Sequence, residues 1–150
     1  LPENFRLFIA GEGGEEELRR LVQKLKLGER VIFGGTISHQ KLPLYLKICD
    51  IFVRPSRSEG LGSSFIEAMA AGLPVIGTPV GGIPDFLEDG KTGLFCKVND
   101  PEDIAKQIRR LAEDKKLRET IIRSARERAF RDYDWGFISS RMTKEIFSKI

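Results

Sequence analysis

The chain has 150 residues, 25 Lys/Arg against 22 Asp/Glu for a net charge of +3, and 41% hydrophobic and 31% charged residues. A chain of this length forms one domain that buries roughly two-thirds of its unfolded surface. No apolar run comes near the ~20 residues of a bilayer span, and no signal-peptide pattern opens the sequence given. A cytoplasmic protein is expected, and peripheral contact at a membrane surface stays open but unsupported.

Apolar or β-branched runs at 5–10, 31–33, 51–53, 75–77 and 94–96 alternate with segments of helical period, which predicts a mostly parallel sheet with helices on both faces. After the first run, Leu18, Leu21, Val22 and Leu25 repeat at helical spacing. Glu15 to Glu17 fill the first turn, Lys24 and Lys26 the last, and Gly28 closes the helix. A second helix is predicted from Ser38 to about Ile48, with a late start favoured because Pro43 suits a first turn.

Toward the C-terminus, Asp100-Pro101-Glu102-Asp103 places a capping side chain, a proline and acid at a helix start, followed by the stripe Ile104, Ile108 and Leu111. Two more helices are predicted, one carrying Leu117, Ile121, Ile122 and Ala125, the other over about 137–147. Residues 106–131 hold ten Lys/Arg against four Asp/Glu, but the signs are interspersed and stacking aromatics are missing, so a solvated helix face and no nucleic-acid partner are expected. Cys49 and Cys96 lack any metal or redox spacing and read as small core residues. His39, the only histidine, has no carboxylate or serine placed to make it a general base.

Two glycine turns follow predicted strands and precede predicted helices, GEGGEEE at 11–17 and EGLGSS at 59–64. Charge separates them. Three carboxylates crowd the first helix start and would repel an anion, whereas the second opens with Ser63, Ser64, Phe65 and Ile66 and leaves its dipole uncompensated until Glu67. A phosphate is therefore expected at Gly60, Leu61, Gly62, Ser63 and Ser64. Gly11 and Gly13 are expected to touch only a ligand's edge. Neither turn has a P-loop lysine or GxGxxG spacing, which counts against ATPase and dehydrogenase readings.

Glu59 and Glu67 flank this turn, each able to accept from hydroxyls of a sugar on either side of the phosphate. Ser64-x-x-Glu67 also reads as a capping box, which would tie Glu67 to the helix start. Glu59 lies outside any helix, and its alternative is a solvent-facing turn residue.

The stretch RPSRSEGLGSSFIEAMAAGLPVIGTPVGG, from Arg54 to Gly82, resembles the nucleotide-sugar signature of retaining glycosyltransferases with the GT-B fold, the family of glycogen and sucrose synthases and many mannosyltransferases. The match rests on Glu59 and Glu67 with seven residues between them, then Ala68, Met69, Ala70, Gly72, Pro74 and Val75. It extends through FIAGEG (8–13), VIFGGTI (31–37), GKTGLF (90–95) and DPEDIA (100–105), nearly the whole chain.

The resemblance implies that Glu59 contacts the donor sugar near its reacting carbon, as the catalytic residue. It also implies that Glu67 holds the ribose, that Gly60 to Ser64 cradle the diphosphate, and that Gly35, Thr36 and Ile37 border the base. No cofactor or metal is expected; the nucleoside diphosphate sugar is the substrate. Trp135 and Phe137 resemble an aromatic pair before a final helix that packs toward another domain, with simple core packing as the alternative.

The family has two Rossmann-like domains, and this chain resembles only the donor-binding one, opening at what would be its second strand. In a sheet of order 3-2-1-4-5-6 the first strand is central. The expectation is one Rossmann-like domain over 1–150 lacking its first strand and helix. The gap is filled by another segment or copy, or closed by direct pairing of the flanking strands, and as a fragment the domain is expected to be inactive alone. The competing readings are a nucleotide-sugar epimerase of the same fold and a non-catalytic nucleotide- or partner-binding module.

Overall fold

The computed structural model describes residues 1–147. Contacts divide the chain into two compact units, Leu1–Leu42 and Pro43–Ile150.

In the first unit, β1 (Leu7–Ala10) and β2 (Val31–Gly35) run parallel, Leu7 opposite Val31 and Ala10 opposite Gly35, and are joined through α1 (Glu15–Lys24). Gly14 caps α1 in the left-handed conformation without a side-chain bond, and Glu15 to Glu17 supply the negative charge that its N-terminus favours. No residue of this unit is buried among the described residues. The predicted stripe of Leu18, Leu21 and Leu25 is exposed, as are Leu7 and Ile32. One helix over two strands has too little apolar area to make a core.

At the boundary between the units, α2 (Leu42–Lys47) starts late, as expected: Ser38 accepts backbone bonds from Lys41 and Leu42, and Pro43 falls in the first turn. The second unit then runs β3 (Phe52–Arg54), α3 (Ser63–Ala71), β4 (Val75–Gly77), β5 (Leu94–Phe95), α4 (Pro101–Glu113), α5 (Lys115–Tyr133) and α6 (Trp135–Glu145). All three strands are parallel in the order β3-β4-β5, with Phe52 opposite Val75 and Ile76 opposite Leu94.

The fold is mixed α/β with parallel sheets. Its strands fall into two hydrogen-bonded sheets, so neither a six-strand sheet nor direct pairing of β1 with β3 is found among the described residues.

Because successive strand residues point to opposite faces, β4 serves two cores. Val75 joins Phe65, Ala68 and Met69 of α3 with Phe86, Ala125 and Ala129, while Ile76 joins Leu94, Leu111 of α4 and Ile121. Helices therefore cover both faces of this sheet. Each of the last three helices starts on an aspartate whose carboxylate accepts from the backbone three residues on: Asp100 from Asp103, Asp114 from Leu117, and Asp134 from Phe137.

Both cysteines are free thiols. Cys96 is buried and Cys49 half-buried, and burial pushes both thiols up, consistent with packing rather than reactivity. Trp135 and Phe137 are exposed, so core packing within this chain does not account for them. No helix among the described residues is long and apolar enough to cross a membrane.

Arg128 ties α5 to the segment after β4, with Nη1 on the Glu88 carboxylate and Nη2 donating to the Asp85 carbonyl at 2.9 Å. The Lys91 and then the Arg128 hydrogen bonds hold the Glu88 carboxyl below its ordinary value, and Arg131 does the same for Asp132. A carboxylate depressed on folding stabilises the fold fully above about pH 5, and this contribution is lost as pH falls through the lowered value. Melting temperature should fall between pH 5 and pH 3. The fall should be smaller in Arg128→Met, which leaves Glu88 only the Lys91 contact; equal slopes in thermal melts would refute the linkage.

Candidate functional site

The candidate residues gather in two groups, one in each unit, both at the C-terminal ends of parallel strands, where α/β sheets place their ligands. In the first unit, the Gly11 N–H donates to the Gly35 carbonyl at 2.9 Å, and the Thr36 hydroxyl donates to the Glu12 carboxylate. Gly11, Gly13 and Gly35 all have positive φ, and Ile37 is half-buried just beyond β2. Gly11, Gly35 and Thr36 are thus brought together by the β1–β2 register.

In the second unit, the chain leaves β3 at Arg54 and returns as α3. Gly62, at φ 76°, is the N-cap of α3 with no side-chain capping bond, and no acid lies in the first turn. Ser63 and Ser64 are therefore the first two helical residues, and the uncapped N–H groups of this end point out beside the glycine turn. Gly62, and not Ser64, is the N-cap, so Ser64 does not cap the helix as a capping box would require. Glu67, one turn further on, is half-buried.

Glu59 is not a solvent-facing turn residue. Its side chain is only 13% exposed, and three donors hold the carboxylate: Arg54 Nη2 at 3.1 Å, the Gly60 N–H at 3.2 Å and the Ser56 hydroxyl at 3.4 Å. Arg54 also donates through Nη1 to the Ser64 hydroxyl at 2.7 Å. One guanidinium therefore links the Glu59 carboxylate to the start of α3.

The loop between them is fixed from behind. The buried Thr78 donates to the Ser56 carbonyl at 2.5 Å, and the Gly82 N–H donates to the Gly60 carbonyl at 2.9 Å. Gly81 and Gly82 pass so close that a Cβ would lie 1.8 Å from the Glu59 oxygen and 2.5 Å from the Gly60 oxygen, respectively. Beneath them the Phe65 ring packs against Phe52 and Phe86, at centroid distances of 5.2 and 5.8 Å. The Gly82 N–H is spent on the neighbouring loop, so it offers nothing to a ligand.

Sequence reasoning missed Arg54, Ser56 and Thr78. For Arg54 a signal was present: a cation ending a strand five residues before an isolated carboxylate. Ser56 and Thr78 carried none, since their partners depend on two loops meeting. Among the described residues no cluster of His, Cys, Asp and Glu is placed to hold a metal.

A family model described as "Glycosyl transferases group 1" matches residues 1–128. The chain is 37% identical to the sulfoquinovosyl transferase of Arabidopsis thaliana over 99% of its own length and 29% of the relative's. It is 34% identical to the N-acetyl-alpha-D-glucosaminyl L-malate synthase of Bacillus anthracis over 85% of its length and 33% of that enzyme. It spans about a third of these relatives.

Among solved structures, the Anabaena protein HepE, crystallised in complex with UDP-glucose, superposes with a TM-score of 0.90 at 25% identity, covering 98% of this chain and 42% of that one. A sucrose-phosphate synthase from Thermosynechococcus elongatus gives a TM-score of 0.85 at 29% identity, covering 97% and 39%. These neighbours are GT-B glycosyltransferases, of which this chain matches a part.

The glycine contact behind Glu59 yields a direct test. Gly81→Ala meets both a left-handed φ of 55° and the Glu59 carbonyl, so it should destabilise the chain by about 1–3 kcal/mol in urea unfolding. An unchanged midpoint and slope would contradict the close packing.

Proposed function

The chain belongs to the group 1 glycosyltransferases, and from that membership we propose that it forms the donor-binding domain of a retaining enzyme that transfers a hexosyl group from a nucleoside diphosphate sugar. The observation that carries this reading is the α3 N-terminus. It is uncompensated by acid, opens on a glycine turn and stands beside a carboxylate held in place. The diphosphate lies against the turn from Gly60 to Ser64, and the N–H groups beyond Gly60 donate to it and offset the charge that grows on the leaving group as the sugar bond breaks.

Glu59 accepts from hydroxyls of the transferred sugar near its reacting carbon and orients it for attack by the acceptor from the leaving-group face, with net retention. Glu67 accepts from the ribose hydroxyls. Gly35, Thr36 and Ile37 border the base, with Gly11 and Gly13 at the ligand's edge. Charge on the leaving group is met by the helix end rather than by a metal.

The two sheets support a further part of this reading. β1 pairs only with β2, and β3 only with β4, so each has one edge without a strand among the described residues, and the first unit keeps its apolar side chains exposed. An additional extended segment, from elsewhere in the polypeptide or from a second copy, pairs with such an edge, since an unpaired edge leaves backbone donors unsatisfied. Amide exchange at β1 and β3 should slow at least tenfold when that segment is supplied; unchanged exchange in both strands would refute it.

Titration calorimetry with UDP-glucose, GDP-mannose and ADP-glucose tests the main claim. One of them should bind, and Glu67→Ala should weaken it by about 10- to 100-fold, the loss of charge-assisted hydrogen bonds worth roughly 1.5–3 kcal/mol. Absence of binding to all three, or an unchanged affinity in the variant, would count against the reading or the ribose assignment respectively.

A further inference from the structure

We propose that Arg54 is a positioning residue that sets the spacing between the sugar end and the phosphate end of the site, acting through Glu59. This rests on the donor-binding reading above. Arg54 is the last residue of β3, and its guanidinium bonds to both ends at once: Nη2 lies 3.1 Å from Glu59 Oε2, and Nη1 donates to Ser64 Oγ at 2.7 Å. The two partners stand at opposite sides of the Gly60–Gly62 turn, five residues apart, and the planar fork of a guanidinium holds both in one fixed geometry.

The asymmetry of exposure assigns the direction of this effect. The Arg54 side chain is 48% exposed and the Glu59 side chain 13%, so the arginine is the accessible strut and the carboxylate the enclosed group it holds. Glu59's other donors are weaker guides, with the Ser56 hydroxyl at 3.4 Å and the adjacent Gly60 N–H at 3.2 Å. Without Arg54 the carboxylate can turn away from the helix end while the glycine turn stays in place. That turn is fixed independently by Thr78 on the Ser56 carbonyl and by the Gly82 N–H on the Gly60 carbonyl.

Loss of Arg54 therefore acts on the part of the ligand that Glu59 touches, the sugar. The diphosphate, bound by the backbone of the turn and of α3, is affected less. The arginine makes the site prefer an intact nucleotide sugar over the free nucleoside diphosphate that remains after transfer.

The test measures dissociation constants on the full chain for three matched pairs, UDP and UDP-glucose, GDP and GDP-mannose, ADP and ADP-glucose, and follows the pair that binds wild type. Arg54→Met should weaken the nucleotide sugar at least tenfold more than the nucleoside diphosphate. Arg54→Lys, which keeps the charge but cannot fork to both partners, should fall in between. In a Glu59→Gln background, Arg54→Met should have little further effect on that ratio, because its route is gone.

An equal loss for sugar and diphosphate would mark Arg54 as a simple anion binder or a general support of the loop and overturn the proposal. Effects of Arg54→Met and Glu59→Gln on the ratio that multiply would overturn it too. If wild type binds none of the six compounds, the donor-binding reading falls and takes this inference with it. If wild type binds and only the ratio fails to move, the inference alone falls.

Discussion

The close approach of two loops, 59–60 and 81–82, is the constraint on which the site depends. Parallel β3 and β4 end side by side, and the segments leaving them must cross within backbone contact of each other. Only residues without a Cβ fit at Gly81 and Gly82, and the Gly82 N–H on the Gly60 carbonyl converts that proximity into a fixed register. The Phe65 ring beneath plays the same part for Gly77, where a Cβ would come within 2.8 Å of it. Function and packing are therefore read from the same glycines, and the loop has no freedom to relax independently of the core.

On this frame the two glycine turns diverge by their charges. α1 begins with three glutamates that satisfy its dipole, while α3 begins with two serines and has no acid in its first turn. Arg54 adds a cation at the same place without closing it, because half of its side chain remains exposed. A helix end, a guanidinium and a held carboxylate therefore lie within one short segment.

Local signals were legible in the sequence where the physics is local. The cap at Asp100, the late start of α2 at Pro43 and the glycine at the head of α3 are written in a few adjacent residues. The alternation of strand and helix predicted the parallel sheet, and the exchange of acid for serine at the two helix starts separated the turns. What stayed hidden depends on residues distant in the chain meeting in space. Thr78 reaches Ser56 across 22 positions, and the enclosed Glu59 carboxylate is paired with an arginine at the end of β3. The α1 stripe misled for the opposite reason. Its period predicts an apolar face correctly, but burial needs a partner surface that the two-stranded unit does not supply.

Backbone amide NMR of the isotopically labelled chain, titrated with UDP, GDP and ADP, addresses the central claim most directly, because each candidate donor reports for itself. The account predicts that the amides of Gly60, Gly62, Ser63 and Ser64 move with a bound diphosphate and that those of Glu15 to Glu17 at the α1 start stay still. Shifts confined to the 11–17 turn, with α3 unmoved, would contradict it.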